Sequence, residues 1–124
     1  MGIKTVAQHK GYAAEEAVAR HLIENGFKII ARNYIVFGGE LDIVAIRSSL
    51  LVFVEVKYRC SVQMPIEYLI PSKKQRSVAF AARCFMAQYA QSAHMDCRFD
   101  VAIIVGAGAR DQKLTYIPNA FCAQ

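Results

Sequence analysis

The chain has 124 residues, 55% of them apolar, with 15 Lys and Arg against 10 Asp and Glu and a formal net charge of +5. This is the size of one domain, spanning 1–124, with ample material for a core, and no apolar run reaches the ~18 residues a bilayer span needs. The opening residues lack the apolar stretch of a signal peptide, so the sequence reads as a cytoplasmic protein with no membrane partner, and its basic balance suits a polyanion.

Residues 9–26 read as a helix, because Tyr12, Glu15, Val18, Ala19 and Leu22 follow the i, i+3, i+4, i+7 rule and Asn25-Gly26 offers a stop. "FKIIARNY" (27–34) reads as a strand and "IVFGG" as a turn. Residues 40–47 and 50–58 form two strands joined at Ser48-Ser49, and a loop containing Met64-Pro65 follows. Ser72 to about Gln91 is a second helix, with Val78, Ala81, Ala82, Phe85 and Tyr89 on one side. "RFDVAIIV" (98–105) is a buried strand, "GAGARDQ" a turn and "KLTYI" a last strand. The order is α-β-β-β-α-β-β. A helix between strands three and four implies a parallel crossover, so this is an α/β fold with a mixed sheet.

Cys60, Cys84, Cys97 and Cys122 are scattered, with no Cys-x-x-Cys pair, and His9, His21 and His94 show no ligand spacing. Free thiols are expected, without structural zinc. Gly106 and Gly108 lack the third glycine of a nucleotide loop and read as a hairpin turn.

The third strand carries the informative residues. Leu51, Phe53, Glu55 and Lys57 share one face and Val52, Val54 and Val56 the other, which marks a strand covered on both sides. If Ser48-Ser49 is a two-residue loop, Arg47 pairs with Leu50, Asp42 falls opposite Glu55 and Glu40 falls opposite Lys57. Two ionised carboxylates on cross-strand neighbours roughly 5 Å apart repel by roughly 3 kcal/mol at an effective dielectric near 20. A divalent cation between the oxygens, with Lys57 beside it, reverses that sign. The other reading is a salt-bridge network in which Lys57 and Arg59 neutralise Glu40 and Glu55.

The helices add two observations. Glu15 stands at the centre of the first helix's apolar stripe, where a carboxylate needs a partner or a metal. Glu16 lies off the stripe and can pair with Arg20 at i, i+4. Glu15, Asp42 and Glu55 would together make an oxygen set suited to magnesium or manganese. Ser72-x-x-Gln75 reads as a capping box on the second helix. Lys73 and Lys74 then fall in its first turn, where the dipole disfavours cations. Either a phosphate docks there or the two lysines are simply solvated.

An acid on helix one, then an aspartate, then Glu-x-Lys on the next strand resembles the PD-(D/E)XK superfamily of restriction-endonuclease-like nucleases, and archaeal Holliday-junction resolvases show a similar order. "RNY" (32–34), "GELDIVA" (39–45), "VFVEVKYR" (52–59), "SKKQR" (72–76), "RFDVAII" (98–104) and "PNAF" (118–121) tighten the match to the small bacterial YraN-like family. Two stretches depart from it: "IVF" (35–37) stands where many relatives would carry a further basic residue, and "CSVQMPIEYLI" lacks the usual glycine.

The resemblance implies a restriction-endonuclease-like fold, with a mixed central sheet flanked by helices, and metal-dependent hydrolysis of DNA. Asp42 and Glu55 would hold one or two Mg2+ or Mn2+ ions, with Glu15 completing the set. Lys57 would orient the attacking water or stabilise the developing charge. Lys73, Lys74 and Arg76 would hold the nucleic-acid backbone, with Gln75 beside them at the superfamily's polar helical position. Few groups suited to reading bases are evident, so recognition of DNA shape is expected, with roles in repair or recombination. A homodimer would let two sites address two strands. The alternative is a non-catalytic nucleic-acid-binding adaptor on the same fold. A third reading is a structural interaction protein whose acids only form ion pairs.

Overall fold

The computed structural model describes residues 6–59, 69–106 and 112–122, with side chains from Gly11 onward. The Met64-Pro65 loop and most of the "GAGARDQ" turn lie outside the described residues. Helix α1 runs Val6–Glu24 and α2 runs Ser72–Gln88; the strands are β1 Lys28–Val36, β2 Gly39–Arg47, β3 Leu50–Arg59, β4 Asp96–Val105 and β5 Lys113–Phe121. The five strands lie side by side in sequence order, antiparallel except for the parallel pair β3–β4. This is the expected mixed sheet and the expected element order.

Each face of the sheet carries one helix. Ala14, Val18, Ala19 and Leu22 of α1 pack on Ile43, Ala45, Val52, Val54, Ala102 and Ile104. Val78, Ala79, Ala81 and Ala82 of α2 pack on Leu41, Val44, Leu51, Phe53, Val101 and Ile103. The apolar stripe of α1 is therefore displaced from the expected one. Ala14 takes the buried end, Tyr12 is exposed, and Glu15 sits half-buried at the margin instead of the centre.

Asn25-Gly26 does end α1. Gly26 adopts φ +87°, Phe27 N–H reaches Leu22 O at 2.9 Å and Gly26 N–H reaches Ile23 O at 3.0 Å. This is a Schellman stop, sealed by Phe27 packing into the same cluster as Leu22. "IVFGG" is shorter as a turn than expected, because Ile35 and Val36 continue β1 and only Phe37 and Gly38 turn. The far end of α2 is also shorter: Tyr89 is extended at φ −108°, ψ 92° and a 3-10 turn, Ala90–His94, takes over.

Helix α2 crosses very close to the start of β2. A Cβ on Gly39 would lie 2.2 Å from the Ser77 carbonyl oxygen, and Ser77 Oγ donates to Gly38 O at 3.1 Å. Only glycine permits that approach. It fixes the first turns of α2 against the mouth of the β2–β3 hairpin.

Candidate metal and nucleic-acid site

The β2–β3 ladder has the expected register, from Arg47↔Leu50 to Ile43↔Val54. One step further the backbone pairing stops. The Val56 N–H donates instead to Asp42 Oδ2 at 2.8 Å. Leu41 joins the α2 core while Ile43 and Ala45 join the α1 core, so the strand's alternation breaks at Asp42. The hairpin therefore opens where its two acids meet.

Glu55 is 4% exposed. Burial, then the negative charge of Asp42 and a hydrogen bond with it, push the Glu55 carboxyl up to about 8, against the opposing pull of Lys74 and Lys57. At neutral pH Glu55 therefore keeps its proton. Lys57 Nζ stands 3.7 Å and Lys74 Nζ 3.8 Å from Glu55 Oε1.

Glu40 is held by Lys74 at 3.6 Å and not by the expected Lys57, which turns toward Glu55. Arg59 stays out of the network and donates to Tyr58 O at 2.7 Å. Lys74 thus has a reason to sit at an unfavourable helix start: two acids from β2 and β3 face it. Lys73 and Arg76 are exposed.

The capping box does not form. The N-cap is Pro71, without a side-chain cap, and the Gln75 amide donates back to Ile70 O at 2.9 Å. Pro71 brings its fixed φ to the helix start, and Gln75 ties down the incoming chain instead.

Glu15 faces the same region from α1. Burial and the charges of Asp42 and Glu40 raise its carboxyl, while a hydrogen bond from Asn33 and the charge of Arg32 lower it. Asn33 Nδ2 lies 3.5 Å from Glu15 Oε2. Asn33 sits in mid-strand at φ +51°, a left-handed conformation that asparagine tolerates better than most residues. Glu16 pairs with Arg32 of β1 at 2.7 Å instead of Arg20, because the helix packs beside β1 and Arg32 is already in reach. Among the described residues no three carboxylate, imidazole or thiol groups stand together as a ready metal cage. Asp42 and Glu55 form the close pair, and Glu15 approaches it through its field.

One buried acid escaped sequence reasoning. Asp100 is fully buried and accepts from Arg98 Nε at 2.7 Å and Nη2 at 2.8 Å, from Asn119 N–H at 2.8 Å and from the Tyr116 hydroxyl. It fastens β5 to β4 at the irregularity between Phe99 and Val101. Burial and the bond to Asp100 push the Tyr116 phenol up. The signal was present in "RFDVAII", an acid inside an apolar run with an arginine two residues before it.

A family model described as "Uncharacterised protein family UPF0102" matches residues 14–104. A UPF0102 protein from Pseudomonas fluorescens (strain Pf-5) is 35% identical over 93% of this chain and 94% of its own length. One from Lachnoclostridium phytofermentans is 37% identical over 92% and 93%. Among solved structures, Archaeoglobus fulgidus Hjc, a Holliday junction resolvase, aligns over 88% of this chain and 72% of its own at TM-score 0.53 and 19% identity, a likeness of fold. With a resolvase-like, restriction-endonuclease-like sheet and these relatives, the chain belongs to the UPF0102 (YraN) family.

Proposed function

We propose that the protein is a metal-dependent DNA phosphodiester hydrolase acting on branched or otherwise structured DNA. The observation that carries this reading is the Asp42–Glu55 pair. A fold selected for stability alone has no reason to bury one carboxylate against another and leave a proton to hold them together. A divalent cation can take the place of that proton, and an all-oxygen donor set suits Mg2+ or Mn2+.

Asp42 and Glu55 would hold the ion, and Glu15 would add its charge from the α1 side. When bound, the ion supplies positive charge to the phosphoryl oxygens and a water of lowered pKa. Lys57, already beside Glu55, holds its ammonium where charge develops on the phosphate and orients the attacking water. Lys73 and Arg76 extend from the start of α2 toward the backbone phosphates. Lys74 balances Glu40 and Glu55, and Gln75 keeps that helix start in place.

Calorimetric titration with Mn2+ should show binding that Asp42→Ala abolishes. Cleavage of branched and single-stranded DNA should then require Glu55 and Lys57. A second reading, the DNA-binding adaptor, draws on the Val56 N–H that already satisfies Asp42 and the two lysines beside Glu55, which hold the site together without an ion. DNA binding with neither metal uptake nor cleavage would favour it and reject hydrolysis.

A further inference from the structure

Outside the carboxylate pair, the largest unexplained feature is an aromatic and cationic surface beside it. Phe37, at the β1–β2 turn, is 100% exposed, and Phe80 of α2 is 40% exposed. Fully exposed phenylalanine costs solubility and does nothing for the core. The turn is held in place, because Gly38 lies against the Phe80 ring (a Cβ there would be 3.4 Å from Phe80 Cε2) and is bonded to Ser77. Phe37 thus stands fully exposed on a turn whose next residue, Gly38, packs on the Phe80 ring.

The charge beside it on α2 has one sign. Helix α2 carries Lys73, Lys74, Arg76 and Arg83 and no acid in 17 residues. Lys73, Arg76, Phe80 and Arg83 are all exposed, at a spacing that places them along one side of the helix. Arg83 leans over the Phe80 ring at 5.9 Å. Glu40, the acid nearest in sequence to the turn, is paired with Lys74. The distance from Lys74 to Phe80 is six residues, about 9 Å along the axis. The surface therefore begins at the carboxylate pair and leads away from it.

We propose that Phe37 and Phe80 form a stacking platform for unpaired nucleotides, with Lys73, Arg76 and Arg83 holding the phosphates between them. Exposed rings interleaved with cations are what single-stranded nucleic acid needs: each base offers a π-face whatever its identity, and each phosphate a charge. Blunt duplex hides its base faces and would meet only the cations. This deepens the hydrolase reading and rests on it for the nucleic-acid partner; it assigns the substrate class as DNA with an unpaired segment next to the cleavage point. It also gives a use to Phe37, in the "IVF" stretch where the family pattern would place a base.

The chain contains no tryptophan, so Phe37→Trp creates a single fluorescent reporter. In EDTA, where no hydrolysis occurs, its emission should be quenched by oligodeoxythymidine and by a forked duplex, and little changed by a blunt duplex. Phe37→Ala should weaken oligodeoxythymidine binding roughly 5- to 100-fold and leave blunt-duplex binding unchanged. Phe80→Ala should act in the same direction. Arg83→Ala should weaken both ligands and lower the single-strand salt slope by about 0.7. Unchanged single-strand binding in Phe37→Ala, or equal loss on both DNAs, overturns the platform. So does a change in sedimentation with no change in DNA binding, which would make the patch a contact between copies of the chain. Because these measurements need no turnover, absent cleavage with intact quenching rejects the hydrolase and keeps the platform.

Discussion

Two buried acid centres emerge one register step apart on the β3–β4 pair, and they are built in opposite ways. Val101 lies opposite Glu55 and Asp100 opposite Val54. Phe53 and Val101 belong to the α2 core and Val54 and Ala102 to the α1 core, so the two acids point to opposite faces of the sheet. Asp100 has a bidentate arginine, a phenol and a backbone N–H. Glu55 has a second carboxyl group and two lysines at 3.7 and 3.8 Å, too far for good hydrogen bonds. The first arrangement is what a buried charge needs to hold a fold together. The second leaves its acid protonated near pH 7, without a strong partner of opposite charge. Full compensation marks a structural acid, and the incomplete compensation of Glu55 at the mouth of an opened hairpin is the feature on which the proposed metal site rests.

The sharpest way to break this contrast is to remove each acid in turn. Asp100→Ala leaves Arg98, Tyr116 and the Asn119 N–H without their partner, and should cost about 3–5 kcal/mol of stability. Urea unfolding is the measurement. At temperatures where the variant is still folded, metal binding should be unaffected. A loss below about 1 kcal/mol would mean that β5 is held by its apolar contacts alone and that Asp100 is no clasp.

Glu55→Gln should do the reverse. It should not destabilise at pH 8, and it should change how stability depends on pH. The folded pKa of Glu55 lies near 8, above its ordinary 4.5. Between those values the native state binds the proton and the unfolded chain does not, so this group's contribution is whole below about 4.5 and is lost as pH rises through about 8. In the metal-free protein, stability should fall over that window by an amount on the order of 5 kcal/mol, and Glu55→Gln should flatten the fall. Mn2+ should raise the wild-type melting temperature more as pH increases, with no such trend in the variant. A wild-type profile that is flat from pH 5 to 8 would show that Glu55 is already ionised and that its lysines suffice.

The sequence carried the local half of this site. Two-residue turn geometry sets the register down to Ile43↔Val54 and so brings Asp42 beside Glu55, although the ladder itself ends one pair short of them. What it could not carry is everything that arrives from elsewhere in the fold. Lys74 reaches Glu40 and Glu55 only because Gly39 lets α2 close on β2. Glu16 takes Arg32 in preference to Arg20 because α1 lies beside β1. Asp100 finds Tyr116 and Asn119 from a strand that begins 13 residues later in the chain. Nor does alternation foresee its own failure at Asp42, where a side chain replaces the backbone as the acceptor for Val56. Tyr12 lies outside the core for a related reason: the stripe's periodicity admits either Tyr12 or Ala14, and packing on the sheet selects the smaller.

The finest test of the comparison concerns Asn33, which partly compensates the third acid. Its amide lies at hydrogen-bond range of Glu15 and its backbone is left-handed at φ +51°. Two substitutions separate these roles. Asn33→Gly removes the amide and suits the backbone; Asn33→Ala removes the amide and strains it. Both should raise the Glu15 carboxyl further, because the bond from Asn33 lowers it now, and carbon-detected NMR titration reads that shift directly. Only Asn33→Ala should also lose stability relative to Asn33→Gly, by about 1 kcal/mol, the cost of a Cβ in the left-handed region. If the two variants are equally stable, the backbone has relaxed and Asn33 is held there by its bond to Glu15. If Glu15 titrates unchanged in both, Asn33 is a turn residue in a strand, and Glu15 stands as unaided before the Asp42–Glu55 pair as Glu55 does within it.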